Sequence, residues 1–228
     1  MVKQARAVRT REALIGSAAE IFHREGFTVA SLTTISAQAG VSSGALHFHF
    51  ASKDALAGAV EEAALARLRA VTEGWPRGAD GCLQHLVDVT HGLARGLRED
   101  VVLRAGFELS GDAARPPHAD LRAHWRRWVE ESVALAGVAG ELLPEVAPED
   151  AVSAVVAATV GFEVLGARDA AWLAPRTVTR FWELLLPRLA AVRVLEVLAA
   201  SGSRAVAAAD AVRGEAGEVR DAVPEGRS

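Results

Sequence analysis

The sequence predicts an all-α fold, with a helix-turn-helix segment near the N-terminus and a longer helical body after it. Hydrophobic residues make up 50% of the 228 residues but aromatic residues only 5%, a balance that favours closely packed helices over a β-sandwich. Apolar residues recur at helical spacing between proline and glycine breakers. The sequence also lacks the alternating apolar pattern between hairpin turns that is typical of strands.

The stretch 31–53 has the pattern of two short helices joined by a tight turn. Ser31 or Thr33 is placed to cap a first helix that extends to Ala39. Gly40 then ends this helix, because glycine enters the left-handed conformation without a Cβ penalty. The sequence therefore predicts a helical pair with its turn at Gly40.

The second helix of this pair is capped by Ser42 and directs Leu46 and Phe50 towards the core. Small and polar side chains remain on its outer face: Ser42, Ser43, Ala45, His47 and His49. Such a face suits entry into the major groove of DNA. From this pattern alone, a helical hairpin buried in an all-α domain is the alternative.

Charge is distributed unevenly along the chain, whose net charge is −4. Residues 1–53 carry six basic and three acidic residues, a net charge of +3, whereas the remainder carries 19 basic and 26 acidic residues, a net charge of −7. Phosphate binding needs a local positive potential rather than a basic whole. A basic N-terminal region on an acidic body is therefore compatible with DNA binding.

Several other classes of protein are disfavoured. A single cysteine, Cys82, cannot form an intrachain disulfide, which favours a reducing cytoplasm. No apolar run is long enough to span a membrane, and no signal peptide follows the basic N-terminus. The histidines lack metal-ligand spacing, and no nucleophile-elbow, P-loop or dinucleotide-binding motif occurs. The sequence predicts neither an enzyme nor a bound metal or cofactor.

The helical pattern predicts three domains or segments: a helix-turn-helix domain over 1–52, a helical body over 53–200 and a disordered or weakly helical tail over 201–228. Helices outside the pair at 31–53 are predicted over 9–25, 53–73, 80–98, 100–110, 118–138, 148–166 and 175–200. Breakers at 74–76 are expected to end the helix that starts at Lys53, and Pro187 is expected to kink or split the last helix.

The N-terminal motifs resemble those of the tetracycline-repressor (TetR) family of bacterial transcription regulators. The resemblance lies in Ala18-Ala19-x-x-Phe22, Gly26-Phe27, Ala39-Gly40-Val41-Ser42, Gly44-Ala45-Leu46, Phe48-His49-Phe50 and Ser52-Lys53-x-x-Leu56. Two positions depart from it: His47 replaces a usual tyrosine, and Ser43 a lysine common in the nearest relatives. The resemblance implies a DNA-facing set with Lys53 as a phosphate anchor: Lys3, Arg6, Arg9, Thr33, Thr34, Ser42, Ser43, Gly44, Ala45, His47, Phe48, His49 and Lys53.

The body resembles a narrower group, the γ-butyrolactone receptors of actinobacteria. The matching segments are 100–109, His124-Trp125-Arg126, 140–144, Val160-Gly161 and 182–187. In this group the matching tryptophan packs over the lactone ring and the matching threonine hydrogen-bonds it. The resemblance implies a ligand-binding set of Leu86, Val102, Phe107, Trp125, Val156, Thr159 and Phe162, and a dimer interface of Val152, Val178, Phe181, Trp182 and Leu185.

This resemblance implies a homodimeric repressor that binds a palindromic operator, controls antibiotic or secondary-metabolite genes and is released by a γ-butyrolactone or butenolide signal. One feature favours an alternative: a glutamine that some relatives place midway along the helix after Lys53 is Ala64 here. The alternative is a pseudo-receptor of the same fold that ignores γ-butyrolactones and responds to another small molecule, such as an antibiotic.

Overall fold

The computed structural model describes residues 2–73, 81–113 and 115–203, with side chains from Gln4 onward. These residues form ten α-helices and one 3₁₀ helix, without a strand among them. The α-helices are α1 (Val2–Glu25), α2 (Leu32–Gln38), α3 (Ser43–His49), α4 (Lys53–Glu73), α5 (Cys82–Glu99), α6 (Val101–Ser110), α7 (Leu121–Val138), α8 (Pro148–Gly166), α9 (Pro175–Leu189) and α10 (Val192–Leu195), and the 3₁₀ helix is Ala170–Leu173.

The predicted all-α class is confirmed, and the predicted helix over 148–166 coincides with α8. Helix α1 begins at Val2 rather than at residue 9, because 2–8 contains no glycine or proline and is rich in good helix formers. The breakers predicted at 74–76 lie outside the described residues. Helix α4 is described as far as Glu73.

The last long helix ends earlier than predicted. Helix α9 stops at Leu189, two residues after Pro187, instead of continuing to residue 200. Its end is fixed by backbone pairing across the α7–α8 connection: Leu143 N donates to Leu189 O at 2.8 Å, and Ala191 N donates to Glu141 O at 2.8 Å. These bonds satisfy backbone groups that a continued helix would have used internally.

The main hydrophobic core runs from Leu14 in α1 to Leu189 in α9, through both predicted domains, and Leu83, Ala136 and Ala190 form a second, small cluster. Helix α4 connects the two regions, because it packs on α1 and makes a very close approach to α6. At that approach, a Cβ added to Gly106 would lie 2.1 Å from the Cβ of Ala64. The predicted boundary at residue 53 therefore falls at the start of a helix that both regions share.

A buried ionic cluster also joins the two regions. Glu61 of α4 is fully buried and accepts hydrogen bonds from Arg115 Nη1 at 2.5 Å and from the backbone N–H of His118 at 2.7 Å. Arg115 also donates to Asp54 Oδ1, and its guanidinium lies 5.1 Å from the ring centroid of Phe27. The loop after α6 is thereby tied to α4 and to the loop after α1.

The chain after α10 packs against α5 through polar side chains. Gln84 exchanges two hydrogen bonds with the backbone of Ala199, and Asp88 accepts one from Ser203 N at 2.7 Å. His91 Nε2 lies 3.0 Å from the carbonyl oxygen of Ala200. Residues 201–203 of the predicted tail are thus ordered against α5, whereas 204–228 lie outside the described residues.

Candidate DNA-binding and ligand-binding sites

Helices α2 and α3 are held in a fixed relation by their caps and turn. Ser31 Oγ accepts a hydrogen bond from Thr33 N, and Ser42 Oγ accepts one from Ala45 N at 3.2 Å. Gly40 has a φ of 66°, in the left-handed region that favours glycine. Ile35 and Leu46 are buried beneath the pair, so that the opposite side of α3 faces outward.

The predicted DNA-facing residues of this pair are at the surface. Thr33, Thr34, Ser42, Ser43, Gly44, His47 and Phe48 are exposed, and Ala45 and His49 are half-buried. The ring of Phe48 is 82% exposed and stands edge-on to His49, with 5.2 Å between ring centroids. Each of these residues is therefore accessible, in whole or in part, from outside the protein.

The positive charge of the N-terminal region lies on α1 rather than on α3. Arg6 and Arg9 are exposed in the first turns of α1, which begins at Val2. The side chain of Lys3 lies outside the described residues. Between Phe27 and Lys53 the sequence carries no Lys, Arg, Asp or Glu. The basic side chains of α1 and the uncharged outer face of α3 thus lie on different helices.

The structure corrects the predicted role of Lys53. Its ammonium donates to three backbone carbonyls, those of Phe27 at 2.7 Å and of Thr28 and Ala30 at 3.0 Å each. It also lies 4.7 Å from the ring centroid of Phe27. Because an ammonium has three N–H donors, all are used within the protein, and the side chain is not available as a phosphate anchor in this conformation. Lys53 instead fastens the loop after α1 to the start of α4.

Trp125 and Thr159, the central pair of the predicted ligand set, contact each other directly. Trp125 Nε1 donates to Thr159 Oγ1 at 2.8 Å, and both residues are nearly fully buried. Thr159 Oγ1 in turn donates to Val155 O at 2.9 Å. The indole of Trp125 stacks on Trp128, with ring centroids 5.1 Å apart. Sequence reasoning linked both residues to a ligand but did not foresee their mutual hydrogen bond.

The other predicted ligand residues divide into two groups. Leu86, Val102, Phe107 and Phe162 are buried in the same core as Trp125. Val156 is half-buried and lines an open groove of about 620 Å³ between α7 and α8, together with Val152 and Val160. The structure therefore places Val156 on the outer side of α8, and we remove it from the interior set.

The predicted dimer interface also needs correction. Val178 and Trp182 are fully buried within the protomer, so they cannot contact a second subunit in this conformation. Val152, Phe181 and Leu185 are half-buried on α8 and α9. Sequence reasoning missed three apolar side chains of the same two helices that are more exposed and therefore available to a second subunit: Leu184 at 79%, Val164 at 48% and Leu165 at 42%.

Among the described residues, three ionisable groups have shifted pKa values: Asp54, Glu108 and His124. Hydrogen bonds from His118 and then from Arg115 lower the pKa of Asp54 below its ordinary value of 3.8. Burial raises the pKa of Glu108, an effect opposed by His23, whose Nδ1 lies 2.9 Å from Glu108 Oε1. Burial, followed by the charges of Arg69 and Arg127, lowers the pKa of His124.

The described residues contain no cluster of three or more His, Cys, Asp or Glu side chains that could hold a metal ion. None of their helices combines the length and apolar character needed to cross a membrane.

Comparison with known proteins identifies the family. Residues 14–60 match the family of bacterial regulatory proteins called tetR. The chain is 32% identical over 196 residues to the A-factor receptor protein of Streptomyces griseus, which covers 83% of this chain and 67% of that protein.

Solved structures agree with the sequence match. A crystal structure of a gamma-butyrolactone receptor (ArpA-like protein) superposes with a TM-score of 0.71 and 28% identity, covering 86% of this chain and 96% of that one. CprB from Streptomyces coelicolor, solved in complex with its biological operator sequence, gives a TM-score of 0.70 at 31% identity over 84% of this chain and 95% of that one. The chain belongs to the TetR family of bacterial transcription regulators, in the gamma-butyrolactone receptor subgroup.

Proposed function

We propose that the chain is a ligand-responsive transcriptional repressor that binds a palindromic operator as a homodimer. Each subunit inserts α3 into a major groove, and the two copies meet half-sites about one DNA turn, roughly 34–36 Å, apart. The observation that carries this proposal is the outward face of α3, which contains no acidic residue and lies next to the basic helix α1. The cap at Ser42 and the turn at Gly40 hold this helix in place. The site is one of binding rather than catalysis, and it acts where bacterial DNA lies, in the cytoplasm.

Contacts with DNA divide by type. Arg6 and Arg9 on α1 meet phosphates, and their contribution is independent of base sequence but falls with added salt. Ser43 and His47 on α3 meet base edges and therefore affect sequence preference. Lys53 supports binding indirectly, by holding the loop at Phe27 against α4.

The effector is a γ-butyrolactone or butenolide that binds in the core near Trp125 and Thr159. A lactone carbonyl is an acceptor that would take the hydrogen bond which Trp125 now gives to Thr159. Because α4 and the cluster at Glu61 and Arg115 tie this core to the α1 loop, a change in the core alters the position of α3. The ligand and the DNA then favour different conformations of the same protein, which couples the two sites.

One observation favours a second candidate, a repressor of the same fold that responds to a different small molecule. Ala64 is fully buried where α4 packs tightly against Gly106: a Cβ added to that glycine would lie 2.1 Å from the Cβ of Ala64. Where some relatives have a glutamine, the interior therefore presents a methyl group and lacks that amide. An antibiotic or another apolar metabolite is the effector in this reading.

The test is equilibrium binding of the purified dimer to a labelled fragment from upstream of its own gene, with a scrambled fragment as reference. We expect Arg9→Ala to weaken binding to both fragments by a similar factor and to reduce the salt dependence. Ser43→Ala should reduce the ratio between the affinities for the operator fragment and for the scrambled fragment. Equal binding of wild-type protein to both fragments at moderate salt would overturn the proposal. Tryptophan fluorescence of the wild type and of Trp125→Phe, compared during titration with lactones and with antibiotics, separates the two candidate effectors.

A further inference from the structure

The outward face of α3 is centred on two residues, Gly44 and Phe48. Leu46 marks the inward direction of this helix, since it is 1% exposed. At about 100° of rotation per residue, Gly44 and Phe48 both lie roughly 20° from the direction opposite Leu46. Ser43 and His47 lie on one flank and half-buried Ala45 on the other. The centre of the face therefore lacks a hydrogen-bonding side chain.

Phe48 is the most exposed phenylalanine of the chain. It is 82% exposed, whereas the other six phenylalanines are buried or half-buried. In a helix, a side chain leans towards the N-terminal turn, so the ring extends over Gly44, its i−4 neighbour. The edge-on contact with His49 limits where the ring can move. The ring and the glycine together form one apolar patch.

The fold itself does not require glycine at position 44. Its backbone is helical, and an added Cβ would meet nothing closer than Ser42 Oγ, at 4.0 Å. Glycine is a poorer helix former than alanine, so helix stability does not favour it at this position. The lack of a side chain leaves room for a partner to approach the backbone of Gly44 closely from outside.

The chemistry of this patch selects among the base edges of the major groove. Guanine is most often read by a bidentate Arg or Lys, and α3 carries neither. An apolar side chain is instead matched to the C5-methyl group of thymine. Resting on the proposed DNA-binding function, we propose that Gly44 and Phe48 form a thymine-reading patch, which packs against a thymine methyl group in each operator half-site.

Deoxyuridine substitution tests this assignment directly, because it removes only the methyl group and leaves base pairing intact. Each thymine of a half-site is replaced in turn, and the affinity of the wild-type dimer is measured. We expect one position at which binding weakens by about fourfold per half-site, the value for burial of one methyl-sized group. Phe48→Ala should bind more weakly overall and should lose this sensitivity, whereas His47→Ala should retain it.

A glycine pair supplies the matched control. Gly44→Ala should preserve or raise the melting temperature and yet weaken operator binding, because its methyl group occupies the space that the base edge needs. Gly16→Ala changes a helical glycine of α1 that is also free of neighbours within 4 Å, and it should leave operator binding unchanged.

Separate outcomes overturn the inference and the proposed function. If the protein binds its operator specifically but no deoxyuridine position matters, or if Phe48→Ala keeps the same deoxyuridine penalty, the thymine-reading patch is wrong and the repressor function stands. Unchanged affinity in Gly44→Ala would also contradict it. Failure of the wild-type protein to distinguish operator from scrambled DNA would remove the proposed function and the inference together.

Discussion

Replacing Thr159 with valine tests the buried hydrogen bond at the centre of the proposed ligand site. Valine has nearly the shape of threonine, so the change removes the hydroxyl without opening a cavity. Trp125 Nε1, which now donates to Thr159 Oγ1 at 2.8 Å, would be left buried without that acceptor. Since an unsatisfied buried donor costs about 1–3 kcal/mol, we expect Thr159→Val to lower the free energy of unfolding by that amount.

The assay is urea unfolding followed by far-ultraviolet circular dichroism, at a fixed protein concentration because a dimer gains stability from association. Ser153→Ala is the matched control on the same helix: its hydroxyl also bonds a backbone carbonyl, at 2.7 Å, but it is exposed. We expect a change within about 0.5 kcal/mol for this control. If Thr159→Val were as stable as Ser153→Ala, the indole N–H would have another acceptor, and the reasoning about this pair would fail.

Three further changes probe the cluster at Glu61 and the proposed dimer face. Glu61→Ala should destabilise the protein by about 3–5 kcal/mol in denaturant unfolding, because Arg115 would lose its buried partner; a loss under 1 kcal/mol would contradict the burial of the pair. The lowered pKa of Asp54 implies stability that is present above the ordinary pKa of 3.8 and lost as the pH falls through the lower, folded value. The stability difference between wild type and Asp54→Asn should therefore shrink below about pH 4, and a constant difference down to pH 2 would count against it. Leu184→Arg should weaken dimerisation about 100-fold or more in sedimentation equilibrium, since the Leu of each subunit contributes about 1.5–3 kcal/mol by its burial. Val138→Arg, at an exposed apolar residue of α7, should have no effect.

Local sequence signals predicted the N-terminal pair well. The caps at Ser31 and Ser42 and the turn at Gly40 depend on residues next to each other in the chain, so their side chains and backbone preferences determine the structure directly. The same holds for α8, whose start is set by Pro148 in its first turn.

Predictions that depended on distant contacts were less successful. An apolar stripe on α9 shows that a face is buried, but it does not show whether the partner is the same subunit or another, and Val178 and Trp182 proved to be internal. Likewise, Lys53 next to a helix N-terminus resembles a phosphate contact until the three carbonyls of the preceding loop are seen around it.

The ionic cluster at Glu61 and Arg115 had no signal in the sequence. The two residues are 54 positions apart, and Glu61 lies in a largely apolar stretch of α4, where nothing points to a buried cationic partner. Only the close packing of α4 on α6, which the small residues Ala64 and Gly106 permit, brings them together in the interior. The small residues at the contact, Ala64 on α4 and Gly106 on α6, are the one sequence feature that could have indicated this close approach.

The most direct test of the central claim is the release of preformed protein–operator complex by a γ-butyrolactone, followed by fluorescence anisotropy of the labelled operator. A ligand-responsive repressor should lose operator affinity by at least tenfold at saturating lactone, in the range of typical coupling energies, and Trp125→Phe should reduce the response. Operator binding that stays unchanged while the lactone demonstrably binds the protein would contradict the coupling of the two sites.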